Sequence, residues 1–321
     1  MFDRSEFEAS ISKTLSVPVV AAPMFLISGP DLVVEACRAG AIGAFPAPNC
    51  RTAEQLDAWM TEITDRLDAA RAAAEEPAPW ALNLITHRSN KRLAADLELV
   101  AKHQPPIVIT ALGSPAPAIE TVHAYGGIVI ADVVSIALAR KAVAAGADGL
   151  ACVSTGAGGH TGHLSPFAFA SGVREFFDGL VVIGGGVSDG WGVAGAVAAG
   201  ADLVYVGTRF LATEESLAPD AYKQMIVDHG ADDLVVSAAI TGANASWLRP
   251  SLEANGIDLS THERSGGPDY NAAQNVQGRW KNIWAAGQGM QVIHEIEPTA
   301  TIVARMRDEY AAAADRLQSL R

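Results

Sequence analysis

Eight short apolar runs rich in β-branched residues recur along the chain, and helix-forming stretches fill the intervals between them. The runs are Val17 to Ala21, Ala41 to Phe45, Trp80 to Ile85, Ile107 to Ala111, Gly127 to Ala131, Gly149 to Val153, Leu180 to Gly184 and Leu203 to Gly207. Alternating strands and helices require right-handed crossovers and a parallel sheet. A doubly wound open sheet uses the same connections, but most such sheets have only about five or six strands. The pattern therefore predicts an α/β fold, a closed (β/α)₈ TIM barrel.

The regular alternation stops after residue 212 and resumes near the C-terminus. We expect residues 1–212 and 285–321 to form the barrel with its C-terminal packing helices, one or two of them between Pro298 and Leu317. Residues 213–284 mix helical pieces, such as Ala221 to Asp228, with turn-rich segments. This stretch is predicted to be an inserted, partly helical cap beside the barrel mouth. Its large aromatic side chains are candidate pocket walls, although such residues more often pack in a core; they are Trp247, Tyr270 and Trp284.

Composition and charge narrow the classes of function. The 321-residue chain is 49% hydrophobic and carries a net charge of -13, which argues against binding to nucleic acids or to anionic membranes. Cys37, Cys50 and Cys152 have neither CxxC spacing nor a neighbouring histidine cluster, so we expect reduced thiols and no metal site. The N-terminus has no basic region followed by an apolar stretch, and no apolar segment is long enough to span a bilayer. A cytoplasmic small-molecule enzyme is the expectation.

Two neighbouring predicted strands end in glycine. The first ends at Gly184, Gly185 and Gly186, and the second at Gly207 and Thr208. Strand ends without side chains let backbone N–H groups approach an anion, and barrels often bind phosphate at two such ends. Simple turn formation is the alternative for each glycine. The pair of strand ends predicts a phosphorylated ligand, such as a nucleotide cofactor. The adjacent Arg209 either adds a positive charge at this ligand or pairs with an acidic neighbour.

The loop after the sixth predicted strand, Ser154 to His163, combines several glycines with two histidines. Catalytic groups in barrels lie at such strand ends, and an imidazole can exchange a proton near neutral pH. His160 is therefore the candidate catalytic residue, and the alternative is a loop histidine that only bonds the backbone. His163 is a weaker candidate, because it stands just before a helix start at Ser165 and Pro166.

Other candidate ligand contacts lie near the predicted barrel mouth. Pro23 and Met24 follow the first strand, and methionine is adaptable enough to lie against a ring system. Asn83, in the third strand, carries both a donor and an acceptor. Asp132, at the end of the fifth strand, either bonds a ligand or caps the following helix. Gln288 lies between two glycines and adds one amide.

With these motifs assembled, the sequence resembles the nitronate monooxygenase family, formerly called 2-nitropropane dioxygenases. The resemblance covers most of the chain. The segments that carry it are Ala22-Pro23-Met24, Asn83, Ala157-Gly158-Gly159-His160 with Gly162, Gly184-Gly185-Gly186 with Asp189-Gly190, Gly200-Ala201-Asp202, Gly207 to Thr213 and Ala286-Gly287-Gln288-Gly289. The glycine-histidine loop together with Gly-Thr-Arg-Phe is specific to this family and its close relatives.

The resemblance implies FMN as cofactor and the oxidation of alkyl nitronates with dioxygen, without a metal. It implies that His160 is the active-site histidine, which holds the nitro group or removes a proton from a neutral nitroalkane. The flavin phosphate is expected on the two glycine strand ends, and the flavin against Met24 and Asn83. The full set of expected cofactor contacts is Pro23, Met24, Asn83, Asp132, Ala157, Gly158, Gly184, Gly185, Gly186, Gly207, Thr208 and Gln288.

Two departures from the family pattern bear on the substrate. Many relatives have an acidic residue shortly before the Gly-His pair, where this chain has Thr155-Gly156-Ala157. Some have a lysine at the end of the fifth strand, where this chain has Asp132. A carboxylate there disfavours additional negative charge near a flavin. This substitution therefore weakens the expectation of an anionic substrate.

Three other functions remain compatible with the sequence. An NAD(P)H-dependent FMN reductase, similar to the barrel-type enoyl-acyl-carrier-protein reductases, is the main alternative. The chain has no GxGxxG pyridine-nucleotide fingerprint after a first strand, which favours the oxidase. A flavin-binding protein without turnover and a phosphosugar isomerase are the others. Homo-oligomerisation is left open.

Overall fold

The computed structural model describes residues 11, 13–259 and 282–320. Tyr270, one of the three candidate pocket walls, lies outside these described residues. Eight parallel strands form a closed barrel, which confirms the predicted (β/α)₈ fold. The strands of the chain are β1 (Val19–Ala21), β2 (Ile42–Pro46), β3 (Trp80–Ile85), β4 (Ile107–Ala111), β5 (Ile128–Val133), β6 (Gly149–Val153), β7 (Gly159–His160), β8 (Leu180–Gly184), β9 (Leu203–Val206), β10 (Leu234–Ser237) and β11 (Ala245–Leu248). Around the barrel the strands follow the order β1-β2-β3-β4-β5-β6-β8-β9, and pairing of β1 with β9 closes it.

Helices surround the barrel and extend into the segment that follows β9. They are α1 (Pro30–Ala39), α2 (Ala53–Ala72), α3 (Leu93–His103), α4 (Ala116–His123), α5 (Ile136–Ala144), α6 (Pro166–Arg174), α7 (Gly190–Ala198), α8 (Thr208–Leu211), α9 (Asp220–Asp228), α10 (Arg249–Ala254) and α11 (Thr299–Ser319). The C-terminal stretch is thus one long helix in the described residues, and it packs on α7 and α1. No helix among the described residues is long and apolar enough to cross a membrane.

Short polar side chains begin the helices on the carboxyl side of the barrel. Ser135 accepts a hydrogen bond from the N–H of Leu138, and Ser165 accepts one from Ala168. Asp189 does the same for Gly192 at the start of α7. Such caps satisfy amide groups that the first helical turn leaves unpaired. The caps of α5 and α7 therefore allow these two helices to begin within a few residues of a strand end.

At the opposite end of the barrel, a repeated Gly-Ala-Asp sequence joins helices to strands. Gly146 and Gly200 adopt positive φ values of 95° and 111°, which close the preceding helices. The aspartate that follows each pair has a further role. A carboxylate oxygen of Asp148 accepts the N–H of Val129, and one of Asp202 accepts the N–H of Val181, both at 2.7 Å. Each aspartate thereby connects the start of its own strand to the preceding barrel strand.

Apolar side chains fill both faces of the barrel wall. One buried cluster occupies the barrel interior, and two others lie between the strands and the surrounding helices. Parallel strands that are buried on both faces appear in sequence as continuous apolar runs, which explains why the runs were recognisable. Cys37, Cys50 and Cys152 are buried free thiols in the outer layers.

A small antiparallel sheet, in the order β10-β11-β7, stands beside the barrel mouth. In it Ala245 pairs with His160 and Ser246 with Gly159, so the loop after β6 is joined to the segment that follows β9. The sequence predicted a partly helical segment here, and the structure adds these strands. Trp247 is a core residue, 1% exposed. Trp284 stacks on Tyr222, with ring centroids 4.9 Å apart.

Candidate active site

Glycine-rich loops from separate parts of the chain meet at the carboxyl edge of the barrel. The N–H of Gln288 donates to the carbonyl of Gly156 at 2.9 Å, and the N–H of Gly287 donates to the hydroxyl of Thr208 at 2.9 Å. The structure thus brings the predicted site residues Thr208 and Gln288 together with the loop after β6. We call this surface the glycine rim; its members are Gly156, Gly158, Gly185, Gly186, Gly207 and Gly287.

Close backbone contacts make side chains impossible at several rim positions. A Cβ atom on Gly287 would lie 2.7 Å from the Gly156 carbonyl oxygen, and one on Gly158 would lie 2.7 Å from the Gly287 nitrogen. Gly185, with φ of 143°, would place a Cβ 2.6 Å from the Thr155 carbonyl oxygen. Gly186 is different, because the nearest atom to its Cβ position is 3.7 Å away, on Gln288. The rim therefore combines tight backbone packing with a more open position at Gly186.

Unpaired donors accumulate at the same place. Within the described residues, the N–H groups of Gly185 and Gly186 donate no backbone hydrogen bond. The hydroxyl of Ser188 is buried without a hydrogen-bond partner and lies against Gly289. A buried polar group normally has a partner, and an anion is the partner that several converging donors favour. Ser188 was not singled out from the sequence, where one serine in a turn gives no signal.

The loop after β1 places Met24 at the glycine rim. The Met24 sulfur is 3.7 Å from the Cβ position of Gly207. Its N–H donates to the Ser28 hydroxyl at 3.0 Å, and its carbonyl accepts from the side chain of Asn49 at 3.1 Å. Asn49 also accepts the N–H of Leu26, whose φ is 63°. Pro23 and Met24 thus lie in a loop held by Asn49, a residue that sequence reasoning did not identify.

Three polar side chains from three strands meet inside the barrel mouth. The Tyr205 hydroxyl donates to Oδ1 of Asp132 at 3.3 Å, and the amide of Asn83 donates to Oδ2 at 3.5 Å and to the Ile109 carbonyl at 3.3 Å. We call Asn83, Asp132 and Tyr205 the polar floor. A Cβ on Gly184 would lie 2.9 Å from that of Tyr205, so glycine also makes room for the ring.

Asp132 does not cap a helix. Helix α5 begins at Ile136 and its cap is Ser135, so the alternative of a capping role for Asp132 is wrong. Burial raises the pKa of Asp132 to about 7, and the hydrogen bond from Tyr205 opposes that rise. Burial also raises the pKa of Tyr205 well above its usual value, so its hydroxyl remains protonated. Sequence reasoning did not identify Tyr205 as a site residue; the available signal was a tyrosine inside a buried apolar strand.

His160 lies on β7, at the outer end of the loop after β6, and is exposed to solvent. Partial desolvation lowers its pKa below the usual 6.5, so the imidazole is neutral at pH 7. A neutral imidazole at a strand end can accept a proton. His163 is exposed, and the helix after it is capped by Ser165 instead.

The guanidinium of Arg209 is engaged by other residues of the chain and does not serve as a binding group for an anionic ligand. It forms a buried ion pair with Glu297 and donates to the Glu295 carbonyl at 3.2 Å, and Arg305 binds Glu297 as well. Burial lowers the pKa of Arg209 to about 10, so it stays charged. Of the two roles left open by the sequence, the structure shows the ion pair. Across the described residues, no cluster of three histidine, cysteine or acidic side chains is placed to hold a metal ion.

Barrel enzymes that bind phosphorylated ligands have this architecture, with strand-end glycines at the carboxyl edge of a closed parallel barrel. The chain belongs to the nitronate monooxygenase family, whose sequence model matches residues 8–309. This is a family of oxidoreductases.

Curated relatives agree with this assignment. A nitronate monooxygenase from Paraburkholderia phytofirmans is 27% identical, and the match covers 94% of each chain. A substituted octahydro-indene-carboxyl-CoA dehydrogenase from Rhodococcus jostii is 31% identical over 77% of this chain, and one from Mycobacterium tuberculosis is 30% identical over 73%. The chain spans 66% and 64% of the length of these two dehydrogenases.

Solved structures share the fold. FabK from Thermotoga maritima superposes with a TM-score of 0.81 at 24% identity, covering 100% of both chains. A nitroalkane oxidase from Streptomyces ansochromogenes superposes with a TM-score of 0.79 at 24% identity, covering 96% of this chain and 99% of the other. At this level of identity, the likeness concerns the fold.

Proposed function

We propose that the protein is an FMN-dependent enzyme that oxidises alkyl nitronates with dioxygen. The observation that carries the proposal is the glycine rim, where loops from β6, β8 and β9 and the Gly287 segment meet in a chain of this family. A curated nitronate monooxygenase matched over 94% of its length supports the same activity.

The residues at the rim fit a flavin mononucleotide. Gly185, Gly186, Gly207 and Thr208 would hold the phosphate, because the three glycines leave the backbone bare and the N–H groups of Gly185 and Gly186 donate no backbone hydrogen bond. The remaining proposed cofactor contacts surround the mouth; they are Pro23, Met24, Asn83, Asp132, Ala157, Gly158, Gly184 and Gln288. When bound, the flavin supplies the electron transfer between substrate and dioxygen.

His160 would handle the proton and the nitro group. Its lowered pKa keeps the imidazole neutral at pH 7, as a general base requires. A neutral nitroalkane needs such a base to lose a proton from carbon, whereas a nitronate has already lost it. His160 therefore matters more for a nitroalkane than for its nitronate.

The segment 213–284 would cover the substrate. Its strand β11 pairs with β7, so the position of His160 depends on this segment. We propose that this pairing holds the imidazole over the mouth and limits the entry of water. Residues 1–212 and 285–321 would then constitute the cofactor-binding barrel.

The experiment begins with the visible absorbance of the purified protein and with identification of the extracted flavin. Anaerobic mixing with ethyl nitronate should then bleach the flavin. His160→Asn should reduce turnover of nitroethane by about 100-fold or more, and that of ethyl nitronate much less. His163→Asn is the matched control and should leave both rates unchanged. A colourless protein that takes up no FMN, or a flavin that ethyl nitronate does not bleach, would refute the proposal.

A second candidate is an NAD(P)H-dependent FMN reductase. Two of the matched relatives are named dehydrogenases, and FabK shares the fold over the whole chain. Anaerobic mixing with NADH and with NADPH separates the candidates. Rapid bleaching by either nucleotide, with no response to ethyl nitronate, would establish the reductase.

A further inference from the structure

The polar floor contains a carboxyl group without a basic partner. Asp132 lies half-buried at the end of β5, between the Tyr205 hydroxyl and the Asn83 amide. In the described part of the chain, no lysine, arginine or histidine forms an ion pair with it. An unneutralised carboxylate at this point repels any anion that enters the mouth.

We propose that Asp132 is a proton acceptor that determines which ligand charge the mouth accepts. A small planar anion enters the mouth together with one proton, which Asp132 takes up. The identity of the anion, a nitronate, rests on the proposed function. The proton comes from solvent and forms an O–H bond on the carboxylate, and no other bond changes. The neutral carboxyl no longer repels the anion and becomes a hydrogen-bond donor.

The surroundings of Asp132 allow this titration near neutral pH. Burial raises the pKa of Asp132 to about 7. From β9, Tyr205 donates a hydrogen bond that favours the charged form, and from β3 Asn83 is neutral. From β6, Cys152 is the other titratable neighbour, and burial raises its pKa to about 12, so it stays a neutral thiol. Charge changes at the floor are therefore assigned to the carboxyl.

The probe is propionate, which matches ethyl nitronate in size and planarity and does not react. Its neutral counterpart, propionamide, is the control ligand. Binding to the purified protein is measured by calorimetry from about pH 6 to about pH 9, where propionate stays ionised. Above the pKa of Asp132, propionate affinity should fall about tenfold per pH unit, whereas propionamide affinity should fall much less. Titrations in buffers of different ionisation heat should show nearly one proton taken up per propionate at high pH.

Variants assign the proton to Asp132. Asp132→Asn should bind propionate with the same affinity at every pH and with no proton uptake. Asp65→Asn, the same change at an exposed site on α2, should behave like wild type. Tyr205→Phe removes a hydrogen bond that stabilises the carboxylate, so the decline in affinity should begin at a higher pH. Tyr205→Phe also serves where Asp132→Asn does not fold.

Three results would overturn the inference. They are no binding of propionate at any pH, wild-type binding that does not vary with pH, and a decline that Tyr205→Phe leaves unmoved. None of them depends on electron transfer. A failure of the proposed function instead appears as a flavin that ethyl nitronate does not bleach, so the two failures are distinguishable.

Discussion

The glycine rim and the polar floor occupy the same end of the barrel and differ in how they can bind a ligand. The rim presents backbone, fixed by contacts such as the bond from Gly287 to Thr208. The floor presents side chains, held by weak hydrogen bonds of 3.3 and 3.5 Å around Asp132. Backbone donors do not titrate, whereas a carboxyl with a pKa of about 7 does.

This difference indicates what each region tolerates. A Cβ added at Gly158, Gly185 or Gly287 would collide with backbone, so these rim positions should be intolerant of substitution, and the rim should be indifferent to pH. The floor should accept isosteric substitutions and should change its properties with pH. The following predictions test that contrast, on the rim, on the ion pair behind it and on the floor.

The largest effect is expected for Gly185→Ala. The new Cβ would lie 2.6 Å from the Thr155 carbonyl oxygen at a φ of 143°, so the loop must move. We expect the Kd for FMN to rise by at least about 1,000-fold, measured by fluorescence titration of the apoprotein. Gly195→Ala is the control, because nothing lies within 4 Å of its Cβ position in α7. It should retain FMN and gain about 0.5 kcal/mol of stability. An unchanged Kd in Gly185→Ala would show that the rim does not bind the cofactor.

Arg209→Met should affect stability more than the ligand. It leaves the buried Glu297 with only the half-exposed Arg305, which should cost about 3 kcal/mol in the free energy of unfolding. Denaturant unfolding measures this loss, and FMN titration should show less than about a threefold change in Kd. A stable variant that has lost FMN would mean that Arg209 binds the phosphate after all.

Asp132→Asn should change how stability depends on pH. The folded-state pKa of about 7 exceeds the usual 3.8, so the protonated carboxyl stabilises the fold below about pH 4, and this contribution is lost as the pH rises through 7. The side-chain amide introduced by Asp132→Asn does not titrate, so the variant lacks this pH dependence of stability. Relative to wild type, the variant should therefore gain on the order of 2 kcal/mol between pH 4 and pH 8, less than the full shift implies because the group is partly solvated. If the difference in unfolding free energy between variant and wild type were the same at pH 4 and at pH 8, the raised pKa of Asp132 would be contradicted.

Thr208→Val should have the smallest effect of the four. It removes the hydroxyl that accepts the N–H of Gly287 and leaves that amide unpaired at the rim. We expect the Kd for FMN to rise about tenfold, with the same increase at every pH. Thr301→Val, at an exposed position on α11, is the control and should show no change. If the increase in the Kd for FMN varied with pH, a titrating group would lie at the rim, and the rim would then not differ from the floor in its response to pH.

Much of the barrel could be predicted because each strand is buried on both faces. Trp80–Ile85 and Leu180–Gly184 have the predicted bounds, since a mainly apolar run bounded by proline, glycine or a polar residue has a clear beginning and end. The strand Gly159–His160 was missed. It has two residues, and its pairing with Ala245 depends on contact between segments far apart in the chain. No local periodicity records such a contact.

Candidate site residues divide in the same way. Thr208, Met24 and Gln288 were recognised as members of one site because they adjoin strand ends or glycines. The partners that decide chemistry were not recognised. Tyr205 was counted only as part of an apolar run, and the pairing of Arg209 with Glu297 spans 88 positions of the chain.

By itself the sequence determined the fold class, the edge of the barrel at which we propose that ligands bind and the residue types gathered there, because periodicity, helix signals and strand-end glycines are local properties. Only the tertiary structure decided which side chains face each other. It placed Asp132 beside Tyr205 instead of at a helix start, and it paired Arg209 with Glu297 instead of leaving it available to a bound phosphate. Burial and charge pairing depend on distances across the barrel, so protonation states were decided by the closed fold.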